Sequence, residues 1–286
     1  MPNAAAFDCH IHMILDGDWW KTAIARHSSG PDIPWIRSIL AHYRAQGFTW
    51  LRDGGDRWGV GAAARSLAPE YGICYRTPLA PLCMEGHYGS FIGLTYGDLK
   101  EYAQLVVRQK AEGADFIKIM ISGLMDFDRF GRLTEEGLED ETIRQLVHIA
   151  HEEGMAVMAH GNGVKNVIAA AEAGVDSIEH GAYLNAEALF AMKEAGTVWV
   201  PTLSTVGNLR GKGRFSEPDV RAILESALKN VADFAAMGGL LAAGSDAGAW
   251  AVPHGLQTEQ ALLRQALGEN ADTVLREGAG VIMEKF

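Results

Sequence analysis

Cysteine is scarce in this sequence, with three residues among 286. A small, odd number in a large chain does not build a disulfide framework, so a reducing compartment is expected, with the cytoplasm as the default. No stretch approaches 18 consecutive apolar residues, which excludes a transmembrane helix from the expectation. The opening MPNAAAFDCHIHM has no basic segment leading into an apolar one, so no export signal is expected. Positive charge is also in deficit: 25 Lys and Arg stand against 36 Asp and Glu, a formal net charge of −11. A surface of that sign repels phosphate backbones and anionic headgroups, which argues against nucleic acid or membrane as partners. Low-complexity tracts and a domain-scale linker are missing too, and a single domain is expected over residues 1–286.

What the sequence has is a regular alternation. Short apolar runs occupy 5–13, 48–53, 73–80, 115–122, 155–160, 175–180, 197–203 and 239–246. Their centres are continuously apolar, as in strands covered by helices on one side and a filled interior on the other. Between several of them lie amphipathic segments at 139–153, 163–173, 185–195 and 217–237. The first places Ile143, Leu146, Val147, Ile149 and Ala150 on one helical face, with Gly154 as a stop. The last begins Glu-Pro-Asp, a proline in the first turn. Repeated βα units predict an α/β protein with a parallel sheet, and eight units favour a (β/α)8 TIM barrel. No Gly-x-Gly-x-x-Gly follows the first run, against an open dinucleotide-binding sheet. Two long loops are expected: 14–31 with Trp19 and Trp20, and 204–216, rich in glycine, with Arg210, Lys212, Arg214 and few apolar anchors.

Chemistry in such a barrel sits at the C-terminal ends of the strands. His10 and His12 end the first run and, two apart on a strand, share a face. Lys118 interrupts Phe-Ile-Lys-Ile-Met-Ile in the fourth. His160, His180 and Asp246 end the fifth, sixth and eighth. Singly, each is ordinary: a core histidine with a partner, a paired lysine, a helix-capping aspartate. Together they fall at the ends of five strands that a barrel would converge on one mouth, and imidazoles with a carboxylate suit zinc and similar metals. Arg52 is expected to pair with Asp53 or a neighbouring acid, and Cys9 to turn towards the helices as a packing residue.

On these residues the sequence resembles the amidohydrolase superfamily. Within it, the chain is similar to the branch of imidazolonepropionase and the metal-dependent Xaa-Pro and Xaa-Arg/Lys dipeptidases. The stretches that carry the resemblance run from Phe-Asp-Cys-His-Ile-His (7–12) through Leu-Arg-Asp-Gly-Gly (51–55), Gly-His-Tyr-Gly (86–89) and Asp-Phe-Ile-Lys-Ile (115–119) to Ser-Ile-Glu-His-Gly (177–181), Val-Pro-Thr-Leu (200–203), Gly-Ser-Asp-Ala-Gly (244–248) and Pro-His-Gly (253–255). The branch usually carries a β-sandwich built from both chain ends; six residues before the first strand and 40 after Asp246 leave no room for it, so its absence is expected.

The resemblance implies a metal-dependent hydrolase that cleaves a C–N amide bond in a small-molecule substrate of the dipeptide, N-acyl amino acid or cyclic amide class. Two divalent ions are implied, with zinc expected: one on His10, His12 and Asp246, the other on His160 and His180, bridged by a carbamate on Lys118. Water between two such ions reaches neutral pH as hydroxide, and Asp246 would carry its proton to the leaving amine. The resemblance also implies that His87 donates to the developing oxyanion or to a substrate carboxylate; Tyr183, three residues after His180, is expected to reach the mouth as a second substrate contact. A lactonase or phosphotriesterase on the same metal cage is the alternative, and a non-catalytic metal-binding barrel another. A deaminase fits less well, since Gly161-Asn162-Gly163 follows His160 where that chemistry places a glutamate. A homo-oligomer is left open.

Overall fold

The computed structural model describes residues 6–255 and 257–286. Residues 1–5, which hold the head of the first expected strand and part of the stretch read for an export signal, lie outside the described residues. The described strands are β1 (Ala6–Ile11), β2 (Phe48–Asp53), β3 (Cys74–Arg76), β4 (Leu82–Met84), β5 (Leu94–Tyr96), β6 (Ile117–Met120), β7 (Val157–Gly161), β8 (Ser177–His180) and β9 (Val198–Val200). All their ladders are parallel, in the orders β1-β2-β3 and β5-β4-β6-β7-β8-β9.

A few backbone bonds close the two sheets into a (β/α)8 barrel. Asp115 N–H donates to the Thr77 carbonyl at 3.0 Å, joining the end of β3 to the start of β6. The eighth apolar run fills the other gap. Ala242 N–H donates to Trp199 O at 3.0 Å on one side, while Cys9 N–H donates to Ala243 O at 2.8 Å and Asp246 N–H to His10 O at 2.7 Å on the other. This run forms isolated bridges instead of the expected regular strand. A reason lies at Gly244, where a Cβ would stand 2.4 Å from Val200 Cγ1 and 2.8 Å from His10 N. The backbone passes too close to its neighbours for a side chain, and Asp246 then turns into the left-handed region at φ 57°.

The third run differs as well. Of the expected 73–80 only β3 forms a strand, paired with β2; Pro78, Leu79 at φ 66° and Pro81 interrupt the chain, and β4, paired with β6, follows beyond the expected run. Proline lacks the N–H that a continuous ladder needs. The four expected helices form at Asp140–Glu152, Val164–Glu172, Ala186–Ala195 and Glu217–Ala236. In the first, Ile143, Leu146, Val147 and Ala150 are fully buried, the 3.6-residue stripe facing the barrel. Among the described residues no helix is long and apolar enough to cross a membrane.

The floor of the barrel is apolar. Trp50, Phe116, Met158, Val198, Val200 and Ala242 pack there with Ile282 and Phe286 from the last helical segment. Cys9 joins them, correcting the expectation that it faces the helices. The pairing of β1 with β2 slips between Asp8 and Ile11, and this irregularity breaks the simple alternation of faces. The two long loops are partly ordered. A helix forms at Trp20–Arg26, and Ser204–Gly207 makes one helical turn. Val206 and Leu209 are buried against Val220, Ile223 and Leu224, so the second loop has more apolar anchors than expected. Its exposed part narrows to residues 210–214.

Candidate metal centre

The seam between β1 and the eighth run brings three ligand-type atoms together. His10 Nε2 and His12 Nε2 are 3.3 Å apart, and Asp246 Oδ1 lies 3.4 Å from the first and 3.2 Å from the second. The His180 ring is centred 5.1 Å from that of His10, and His160 4.6 Å from His180. Lys118, His160 and His180 line the same cavity of about 480 Å³ as His10, His12 and Asp246. Two glycines make room for these histidines: Gly244, where a Cβ would stand 2.8 Å from His10 Cβ, and Gly54, where one would stand 2.3 Å from His12 Cε1.

The outer faces of these rings are held. His10 Nδ1–H donates to Glu179 Oε2 at 2.7 Å, which leaves Nε2 with its lone pair aimed inward. His160 Nε2 sits 3.2 Å from the Gly123 carbonyl, which can only accept, so Nε2 carries the hydrogen and Nδ1 keeps its lone pair. His180 Nδ1 is 2.7 Å from Thr202 Oγ1. His180, Thr202 and Asp246 all have positive φ, at 70°, 48° and 57°, concentrating backbone strain at the cavity floor.

Burial sets the charge states. It pushes His10 down to about 4 and His160 to about 3 from a usual 6.5, and His180 well below that value. These imidazoles are neutral at pH 7 and available as ligands. Burial also lowers the Lys118 amine to about 8, with Glu179 and Asp246 acting in the opposite direction. Burial alone would raise Asp246, but His10 and His12 outweigh it and hold the carboxyl below its usual range. Lys118 Nζ, Asp246 Oδ1 and His12 Nδ1 are buried without a hydrogen-bond partner. With Nδ1–H committed to Glu179, His10 Nε2 presents a lone pair 3.4 Å from the unpartnered Asp246 Oδ1, a set of acceptors that a cation among them would satisfy. The donor set therefore fits a divalent metal.

Several residues of this assembly were not singled out as functional from the sequence. Glu179 is fully buried and also accepts from Arg52 Nη2 at 2.8 Å and Ser177 Oγ at 2.6 Å. Burial would raise its carboxyl, yet Arg52 and His10 bring it down to about 2. Arg52 thus pairs with an acid across the barrel, not with Asp53. The available signal was Glu179 standing directly before His180, on the strand whose end was already singled out. Asn162 donates to Gly123 O at 3.0 Å and accepts from Ala182 N at 2.9 Å, tying together the turns after β6, β7 and β8. Behind Asp246, Ser245 Oγ donates to Asp8 Oδ2 at 2.5 Å, and Ser204 Oγ donates to the Ser245 carbonyl at 2.6 Å.

The two expected substrate contacts lie elsewhere. His87 is half-buried, with Nδ1 3.7 Å from Glu135 Oε1, and it is not in the cavity wall. Its neighbour Tyr88 takes that place, its ring centred 4.8 Å from His160. Tyr183 packs against Phe130 beside a separate small pocket next to His180. Trp19 and Trp20 are exposed and line the cavity.

Comparison with known proteins agrees with this architecture. The sequence profile described as the amidohydrolase family matches residues 59–276. Ochratoxinase of Aspergillus niger is 25% identical over 273 residues, covering 84% of this chain but only 56% of the relative. The chain thus spans little more than half the length of that relative. The crystal structure of a Xaa-Pro dipeptidase with bound methionine superposes with a TM-score of 0.80 at 21% identity, covering 98% of this chain and 75% of the other. That of A. niger ochratoxinase gives 0.76 at 22% identity, covering 94% and 68%. At these identities the structural likeness speaks to the fold.

Proposed function

The chain belongs to the amidohydrolase family, and on that footing we propose that it hydrolyses the C–N amide bond of a small molecule with divalent metal bound at His10, His12 and Asp246. The observation that carries this reading is the meeting of His10 Nε2, His12 Nε2 and Asp246 Oδ1 within 3.4 Å at the closed end of the cavity. His160 and His180 would hold a second ion, and Lys118, as a carbamate formed with carbon dioxide, would lie between the two. Metal bound there, with zinc favoured by the nitrogen-rich donors, supplies Lewis acidity towards the amide carbonyl and lowers the pKa of water.

The protein's own groups do the rest. Asp246 takes a proton from the attacking water and delivers it to the departing amine. Glu179 fixes the tautomer and orientation of His10, and Arg52 keeps Glu179 ionised. Tyr88 stacks over His160 and bounds the space open to the substrate. The barrel is read as one catalytic domain.

The test is metal analysis followed by turnover on a panel of dipeptides, N-acyl amino acids, lactones and organophosphates. Amide hydrolysis lost on chelation and restored by zinc is the expected result. Turnover confined to lactones or phosphotriesters would move the reading to that chemistry. Bound metal without turnover of any class would leave a binding barrel.

A further inference from the structure

Above the polar floor the cavity is lined by large apolar side chains, among them Leu15, Trp19, Trp20, Phe91, Phe127 and Trp250. Such a wall holds a bulky, preferably aromatic, body by burial and ring stacking. Only one cationic side chain other than Lys118 lines it, and that is Arg214. The chain has 36 acidic residues for 25 Lys and Arg, so acids are in excess. Arg214 makes no ion pair and no side-chain hydrogen bond among the described residues. Its guanidinium lies 4.1 Å from the centre of the Trp250 ring and 5.2 Å from that of Phe215. Stacking engages the face of the guanidinium and leaves its N–H edges free. Those edges present a planar fork that matches a carboxylate.

The acids in the wall do not consume this charge. Asp126 Oδ1 accepts from Asp128 N at 3.0 Å within its own turn, and Asp18 forms no ion pair among the described residues. The segment that carries Arg214 is held at both ends. Leu209 is buried before it, and Ser216 N–H donates to Asp128 Oδ1 at 2.7 Å after it.

We infer that Arg214 is a specificity-determining residue that selects substrates bearing a carboxylate on an aromatic or bulky apolar body. The inference rests on the cavity being the substrate site of the proposed hydrolase, and it names the class of molecule that site takes.

The test is calorimetric and needs no turnover. The zinc-loaded protein and its Arg214→Gln variant are titrated with 4-phenylbutyrate and with the neutral 4-phenylbutanol. The wild type should bind the carboxylate about tenfold more tightly than the alcohol, the scale of one partly exposed charge-assisted hydrogen-bond pair. The variant should lose that preference and bind the alcohol as the wild type does. Because Arg214 is exposed, the variant is expected to fold, which thermal melting checks. A preference that survives in the variant would place the carboxylate on the metal and overturn the inference, as would failure of the wild type to bind either compound. In parallel, N-benzoyl-phenylalanine and its carboxamide serve as substrates, and the variant should raise KM for the first alone. If neither is turned over while the calorimetric preference is present and lost in the variant, Arg214 keeps its role and the wider substrate panel decides the hydrolase reading.

Discussion

Glu179 accepts the Nδ1–H of His10 at 2.7 Å from a position 169 residues further along the chain. A side chain of β1 is therefore oriented by one of β8, and the same carboxylate receives the buried Arg52 guanidinium at 2.8 Å. Glu179→Gln removes the charge from both contacts. Breaking a buried pair by deleting one partner costs about 3–5 kcal/mol, and loss of an orienting carboxylate weakens metal binding by about 10- to 100-fold. Urea unfolding and competition with a metal indicator measure the two effects separately. A variant with wild-type metal affinity would deny Glu179 any part in ligand orientation.

Glu259 gives stability a pH dependence of defined sign. Burial pushes its carboxyl up to about 8 from 4.5, against the lowering contacts from Ser204. Between roughly those two values the folded chain holds a proton that the unfolded chain has released. Stability should therefore fall as pH rises from about 4.5 to 8, and Glu259→Gln should remove this component. Asp8 and Asp53, raised to about 7 and 6, contribute slopes of the same sign. The useful quantity is thus the difference in urea midpoint between wild type and variant at pH 5, 6.5 and 8. An unchanged difference across that range would refute the assignment.

The two glycines beside His10 and His12 should respond differently. At Gly244 a methyl group meets backbone, His10 N at 2.8 Å, as well as Val200 Cγ1 at 2.4 Å. Gly244→Ala should lose about 1–3 kcal/mol through overpacking and also lose metal. At Gly54 the methyl meets only the His12 ring, which can swing aside. Gly54→Ala should keep most of its stability and still bind metal poorly. Equal metal content in wild type and both variants would contradict the packing argument.

Asp246→Asn should fold, retain part of its metal and lose about 10²- to 10⁴-fold in kcat, the usual weight of a proton-transfer group. Near-wild-type turnover on any accepted amide would rule out its proton-carrying role.

Lys118 is the most exposed element of the binuclear reading. Two metals per chain are expected, together with an added mass of one carbon dioxide on Lys118 under native conditions. Lys118→Ala should lose metal and activity, and a small carboxylate in the buffer should restore some of both. One ion per chain with an unmodified lysine in an active enzyme would leave a mononuclear site on His10, His12 and Asp246.

Much of this was legible in the sequence because barrel strands announce their ends. Apolar runs terminate at a polar residue next to glycine, as at His160-Gly161, His180-Gly181 and Gly244-Ser245-Asp246. Five of the polar residues stand at such ends and meet because the strands are parallel and their C-terminal ends share a rim; Lys118, inside β6, reaches the same cavity from below. What stayed hidden depends on register and on distant partners. A slip of pairing inside β1 is not encoded in apolar periodicity, so Cys9 was placed on the wrong face. The partner of Arg52 lies 127 positions away, while Asp53 stands beside it in sequence. His87 and Tyr88 are adjacent in one turn, and only the turn's geometry decides which faces the cavity. The anchors in 204–216 were overlooked because Val206 and Leu209 are isolated apolar residues that find their neighbours in a later helix.

Phe286 lies beneath Arg52, its ring centred 4.5 Å from the guanidinium carbon, with Phe116 at 5.9 Å. These rings form a dry seal under the charge that holds Glu179. In a low-dielectric surround the field of Arg52 is little screened, so it reaches Glu179 and, through it, the electron density on His10. The insulation at the closed end of the barrel thereby helps set the ligand strength at the open end. A substitution at Phe286 that admits water would screen that field and so shift the basicity of His10, although no residue of the substrate cavity had changed.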